Sequence, residues 1–106
     1  MKATIWHNPR CSKSRQALDL LRDAGVEVTV VEYLRTPPTR DELARLYARS
    51  GIAPRDALRK DAGAVANDDA ALDLMVRDPA MIERPLVETA KGVRLARPPE
   101  LVRDLL

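Results

Sequence analysis

The sequence predicts an α/β fold: a mixed β-sheet of about four strands with flanking helices and a helical insertion. Three observations carry this. The first third of the chain reads strand, helix, strand, which packs as a parallel pair with a right-handed crossover. Helical patterns with start and stop signals fill the middle. Two short apolar runs around Ala90-Lys91-Gly92 read as a β-hairpin ahead of a last helix.

Residues 2–6 read as a short strand with Ala3 and Ile5 on one face. His7-Asn8-Pro9-Arg10-Cys11 is a loop, because Asn-Pro interrupts regular structure. A helix follows over residues 12–24, with Ala17, Leu20, Leu21 and Ala24 at helical spacing and Leu18 widening the stripe. Gly25 stops it. Val26, Val28 and Val30 alternate with polar residues, as in a half-buried strand. Thr36-Pro37-Pro38-Thr39 closes that unit. Thr39 and Glu42 have capping-box spacing, and Leu43, Leu46 and Tyr47 form the inward stripe of a second helix that Gly51 ends. Pro54 opens a short helix through Lys60, and Asp61-Ala62-Gly63 turns. Asn67 caps a further helix, with Leu72, Met75 and Val76 inward, ending before Asp78-Pro79. Leu86-Val87-Glu88 and Val93-Arg94-Leu95 are the hairpin strands. Pro98 and Pro99 open a final helix with Leu101, Val102 and Leu105 apolar. The order β-α-β, helices, β-β-α is the layout of a thioredoxin-like fold.

With 106 residues, the chain is expected to form one domain over 1–106. Hydrophobic residues make up 45%, and the 32% that are charged nearly cancel to +2, so the composition is that of a folded domain. The pI is near 9.0, yet charges of both signs alternate and only three aromatic residues exist, Trp6, Tyr33 and Tyr47. Neither a basic block nor a stacking platform for nucleic acid can be built from that. The first residues lack the apolar core of a signal peptide, and no run approaches the roughly 20 apolar residues of a membrane span. A single cysteine cannot close an internal disulfide, which points to the reducing cytoplasm. One Cys and one His without paired-cysteine spacing argue against a metal site.

Cys11 ends the first loop and opens a helix. The leading N–H groups of a helix lack partners and carry partial positive charge, so a thiolate there is stabilised. Arg10, Lys13 and Arg15 add positive potential, and the same N–H cup suits a tetrahedral oxyanion. The competing reading, a small buried apolar Cys, fits poorly with neighbours such as Arg10, Ser12, Lys13 and Arg15. His7 is open to two readings, a group that tunes the thiol or a hydrogen-bonded structural histidine. Ser12 and Ser14 supply hydroxyls at the helix start, where plain capping is the alternative. Ser14 stands where a dithiol oxidoreductase would carry its second Cys, so any oxidised Cys11 must be resolved by an external thiol. Arg59, Arg84 and Arg97 stand apart from the other charges, although each taken singly reads more readily as a solvated surface residue. Guanidinium forks match tetrahedral oxyanions bidentately, and an Arg-Pro just before a strand is a candidate cis-proline site.

His7-Asn8-Pro9-Arg10-Cys11-Ser12-Lys13-Ser14-Arg15, Leu58-Arg59-Lys60, Glu83-Arg84-Pro85-Leu86-Val87 and Arg94-Leu95-Ala96-Arg97-Pro98-Pro99-Glu100 closely resemble the glutaredoxin-dependent bacterial arsenate reductase family. The match runs in order over nearly the whole chain. The resemblance implies Cys11 as nucleophile and Arg59, Arg84 and Arg97 as oxyanion-binding residues. It implies that His7 lowers the thiol pKa, that Ser14 is a supporting hydroxyl, and that Pro85 is cis. It further implies reduction of arsenate to arsenite by a monomer without bound cofactor or metal, using glutathione as co-substrate and glutaredoxin as partner. The stretch after Arg59 is shorter than the family's pattern. Two other functions fit such a fold: a generic glutathione-linked thiol oxidoreductase, and an Spx-like regulator that binds RNA polymerase. The second usually carries a Cys pair, which Ser14 denies.

Overall fold

A computed structural model describes residues Met1–Leu106. Its strands are β1 (Lys2–His7), β2 (Glu27–Glu32), β3 (Leu86–Thr89) and β4 (Gly92–Leu95), in the sheet order β2-β1-β3-β4. Helix α1 (Ser12–Asp23) crosses from β1 to its parallel neighbour β2. The pairs β1–β3 and β3–β4 are antiparallel. Between β2 and β3 lies the helical insertion, with α2 (Arg40–Ser50) and α3 (Asp68–Arg77).

Strand side chains alternate between faces, so the sheet separates two cores. Ala3, Ile5 and Val87 meet Ala17, Leu18 and Leu21 of α1 on one face, together with Val102 and Leu105. Trp6, Leu86 and Val93 meet Leu43, Leu46 and Tyr47 of α2 and Leu72 and Met75 of α3 on the other. The capping signals hold as read. Thr39 Oγ1 accepts the Glu42 N–H at 3.1 Å, Asn67 Oδ1 accepts that of Ala70 at 2.9 Å, and Gly51 takes the left-handed φ of 74° that ends α2.

Five details depart from the sequence reading, each for a local reason; the first is Val30, read as part of a half-buried stripe but exposed, because β2 is an edge strand and the core on that face extends to Val28 without reaching it. The expected helix from Pro54 through Lys60 splits into 3₁₀ turns at Pro54–Asp56 and Lys60–Ala62. The backbone between them pairs instead with a distant segment: Glu83 N–H donates to Ala57 C=O, Arg59 N–H donates to Met81 C=O, both at 2.9 Å, and Leu58 bridges Ile82. The final segment, Pro99–Leu105, is a 3₁₀ helix. Its buried residues Pro99, Val102 and Leu105 recur every third position, which suits three residues per turn. Val76, expected inward, is exposed, because it falls one position past buried Met75 on α3. Ala24 lies just beyond α1 and faces solvent.

Register then positions what matters. Trp6 pairs with Val31 on one side and Leu86 on the other, and Leu86 pairs with Leu95. This row crosses the whole sheet near one edge. Just beyond it lie the Asn8–Cys11 loop, Tyr33, the Arg84–Pro85 peptide and Arg97.

Truncating the fully buried Leu43 to Ala should cost about 2–5 kcal/mol of stability. Val76→Ala should stay within about 0.5 kcal/mol. Urea unfolding of both variants checks this, and equal losses would mean that α3 buries a different face.

Candidate active site

The loop after β1 is shaped by its own hydrogen bonds. Cys11 N–H donates to Asn8 C=O and Arg10 N–H to Asn8 Oδ1, each at 3.0 Å. Arg15 Nη1 reaches back to Pro9 C=O at 2.8 Å. Cys11 is extended, with φ −92° and ψ 120°, and immediately precedes the first turn of α1. It is almost wholly buried and has no cysteine partner.

Burial pushes the Cys11 thiol up. The Ser14 backbone N–H, the Arg84 guanidinium through charge and hydrogen bonding, and the Lys13 backbone N–H pull it down, and the net displacement is downward. The cation that acts on the sulfur comes from Arg84, far along the chain, and Lys13 contributes through its backbone.

Ser14 does not cap the helix. It is fully buried, and its Oγ is hydrogen-bonded to His7 Nδ1 at 2.6 Å and accepts the Asn8 N–H at 3.1 Å. His7 is likewise buried. Burial is the main cause holding its pKa below the ordinary histidine value, with Arg22 and Arg15 adding to the effect against Glu32 and Asp19. The imidazole is therefore kept neutral near neutral pH, and it meets the Ser14 hydroxyl.

Arg59, Arg84 and Arg97 converge on one cavity of about 500 Å³, which Lys60, Asp61 and Glu83 complete and no apolar residue lines. Glu83 Oε1 lies 3.3 Å from Arg84 Nη1 and 3.7 Å from Arg97 Nη1. Arg97 Nη1 donates to the Arg84 C=O at 3.1 Å. Arg59 Nε pairs with Asp61 Oδ1 at 3.1 Å. The shorter stretch after Arg59 leaves it at the cavity, because the pairing of residues 57–59 with 81–83 carries it there. The Arg84–Pro85 peptide is cis as expected, and so is Arg97–Pro98. Arg84 Nε is buried without a partner, beside the thiol that its guanidinium stabilises.

Two residues of this neighbourhood escaped sequence reasoning. Glu83 stood in a motif but had no assigned task. Tyr33 is buried beside the Asn8–Cys11 loop. Burial raises its pKa, while Arg84, Asn8 and Arg59 oppose that rise. The signal for Tyr33 was available: parallel pairing sets Glu32 opposite His7, so the next residue must fall beside the Cys11 loop. No group of three or more metal-ligating side chains gathers in the fold.

Residues 6–105 match the model of the ArsC family. The chain is 45% identical to the arsenate reductase of Escherichia coli K12, over 97% of this chain and 79% of that protein. It is 43% identical to the arsenate reductase of Rhizobium meliloti, over 100% of this chain and 82% of that one. The solved arsenate reductase from Vibrio cholerae superposes with a TM-score of 0.91 at 38% identity, covering 100% of this chain and 98% of the other.

Since the thiolate is the reactive form, a lowered pKa moves half-maximal alkylation to lower pH. Iodoacetamide labelling of Cys11 should show a midpoint below the value of about 8.5 for free cysteine. Arg84→Ala should shift that midpoint upward. A midpoint unmoved by Arg84→Ala would show that the guanidinium does not act on the sulfur.

Proposed function

This chain belongs to the ArsC family, and on that footing we propose that it is an arsenate reductase working through one thiol, Cys11, with glutathione and glutaredoxin as its electron source. The observation that carries this reading is the convergence of three guanidinium groups on one cavity, one of them acting directly on the thiol. Arginine forks pair with two oxygens of a tetrahedral oxyanion at once. Arg59, Arg84 and Arg97 bind arsenate and hold it at the sulfur. Their charge also offsets the negative charge that gathers on oxygen as the new bond forms.

Cys11 thiolate attacks arsenic, an S–As bond forms, and one arsenate oxygen leaves as water after taking up protons. Glutathione then supplies the second thiol. An S–S bond forms between Cys11 and glutathione, the S–As bond breaks with its electron pair going to arsenic, and the As(III) product departs as arsenite. The two electrons come from the two sulfurs. Glutaredoxin reduces the mixed disulfide and restores the thiol.

His7 and Ser14 act through position. The neutral imidazole holds the Ser14 hydroxyl, which fixes the first turn and aims the Ser14 N–H at the sulfur. No bound cofactor enters; glutathione is a co-substrate. Every group invoked comes from one chain, so the site needs no second subunit, in keeping with a monomer. A lone unpaired cysteine belongs in the reducing cytoplasm, where glutathione is held in its thiol form.

With arsenate and glutathione but no glutaredoxin, intact-mass analysis should find one glutathione per chain, removable by dithiothreitol and absent from Cys11→Ser. Glutaredoxin should restore cycling, and full turnover on thioredoxin alone would sink the electron-source assignment. Alanine at Arg59, Arg84 or Arg97 should each lower kcat/KM by roughly 2–4 kcal/mol of transition-state stabilisation. A harmless Arg59→Ala would remove that residue from the oxyanion site.

A further inference from the structure

A second cavity, of about 340 Å³, opens on the other flank of the Cys11 loop, and the oxyanion site uses none of its lining. It lies between the β1–α1 loop and the turn after β2, beyond the carboxyl ends of the parallel pair, where ligands of open α/β sheets collect. Its size falls in the range of small-molecule sites, about 300–1,000 Å³. We propose that this cavity is the docking site of the tripeptide thiol, with Arg10 and Arg35 receiving its two carboxylates and Glu32 its ammonium group. The proposal rests on the reading that glutathione is the reductant.

Three observations support it. First, the charges fit. Glutathione carries two carboxylates and one ammonium, and the cavity offers two guanidinium groups and one carboxylate. Neither Arg10 nor Arg35 has an acidic partner within the chain, a state they share with Arg15, Arg22, Arg77 and Arg103, none of which lines this cavity. Second, the walls are built. The turn after β2 is closed by two bonds to one acceptor, Arg35 N–H and Thr36 N–H both donating to Glu32 C=O at 2.9 Å. Tyr33 anchors that turn from inside, while Leu34, among the few large hydrophobic side chains left exposed, lies on the cavity. Tyr33 is buried directly after Glu32, which pairs with His7, so the turn and the loop that holds the thiol lie side by side.

Third, the reaction needs an approach on this flank. Displacement at sulfur proceeds with the entering thiol opposite the leaving group. Arsenic leaves toward the arginine cavity, so the incoming sulfur must arrive from another direction. Arg10 is the immediate neighbour of Cys11 and lines only the second cavity. A tripeptide held by Arg10 and Arg35 would sit next to the residue that precedes Cys11 in the chain, leaving the arginine cavity free for the arsenic. When the step is complete, the same contacts hold the glutathione moiety of the mixed disulfide at the surface, where glutaredoxin can take it.

The test compares two disulfides as donors to Cys11. Glutathione disulfide transfers one glutathione and releases one thiolate; hydroxyethyl disulfide does the same without charged groups. Intact-mass time courses give the ratio of the two rates in wild type, Arg35→Glu and Arg35→Lys. The ratio should fall about tenfold in Arg35→Glu, as expected for replacing an ion pair by repulsion, and recover in part in Arg35→Lys. In arsenate turnover, half-saturation by glutathione should rise in Arg35→Glu while half-saturation by glutaredoxin holds. An unchanged ratio overturns the proposal, as does a defect seen only toward glutaredoxin, which would mark the cavity as a protein contact. If turnover stalls on glutathione while the ratio remains sensitive to charge, the electron-source reading fails and the site stands. If turnover runs on glutathione and the ratio ignores Arg35→Glu, the site fails alone.

Discussion

Three guanidinium groups around one small cavity repel one another, and something must hold them together before an anion arrives. Glu83 does so. Its carboxylate lies between Arg84 and Arg97, and its backbone N–H binds the Ala57 carbonyl that begins the pairing presenting Arg59. One residue thus organises all three arginines, two by charge and one by backbone. The neutralisation is incomplete by design of the lining. Arg59, Lys60, Arg84 and Arg97 against Asp61 and Glu83 leave an excess of two positive charges, which complements a doubly charged oxyanion.

The sheet register carries the rest. Val31, Trp6, Leu86 and Leu95 form one transverse row. β1 and β2 end one residue past this row, antiparallel β3 begins at it, and β4 ends at it. Segments far apart in sequence therefore reach the same edge without any long loop: the thiol loop from β1, the Tyr33 turn from β2, the Arg84–Pro85 approach to β3 and Arg97 after β4. The chemistry occupies this edge because every strand that passes the row delivers a residue to it.

Most of this was legible in the sequence where signals are local. The Thr39 and Asn67 caps, the Gly51 stop, the Asn-Pro loop and the helix start at Cys11 depend on residues within a turn of one another. The segment from Pro54 to Lys60 was not legible, because its backbone satisfies its hydrogen bonds with residues 81–83. A nonlocal partner of that kind leaves no periodic trace. Val76 and Ala24 mark the edge of the helical-stripe argument, since a residue one position past a buried one is still apolar but has turned outward. Glu83 went unread because a lone acid beside an arginine is common on surfaces. Only the fold reveals that a second arginine arrives on its other side. The three arginines themselves were proposed through family resemblance, and spacing alone would not have joined them.

Ser14 bears on how such a protein can change over generations. Its hydroxyl is fully buried, bonded to His7 Nδ1 and receiving the Asn8 N–H. A cysteine at this position would be a far weaker acceptor, and an unsatisfied buried donor costs about 1–3 kcal/mol. The route from a one-thiol enzyme to a self-resolving dithiol enzyme is therefore uphill at its first step, although it needs a change at only one position. A chain with a single thiol is held to that state by one buried contact between a serine and a histidine.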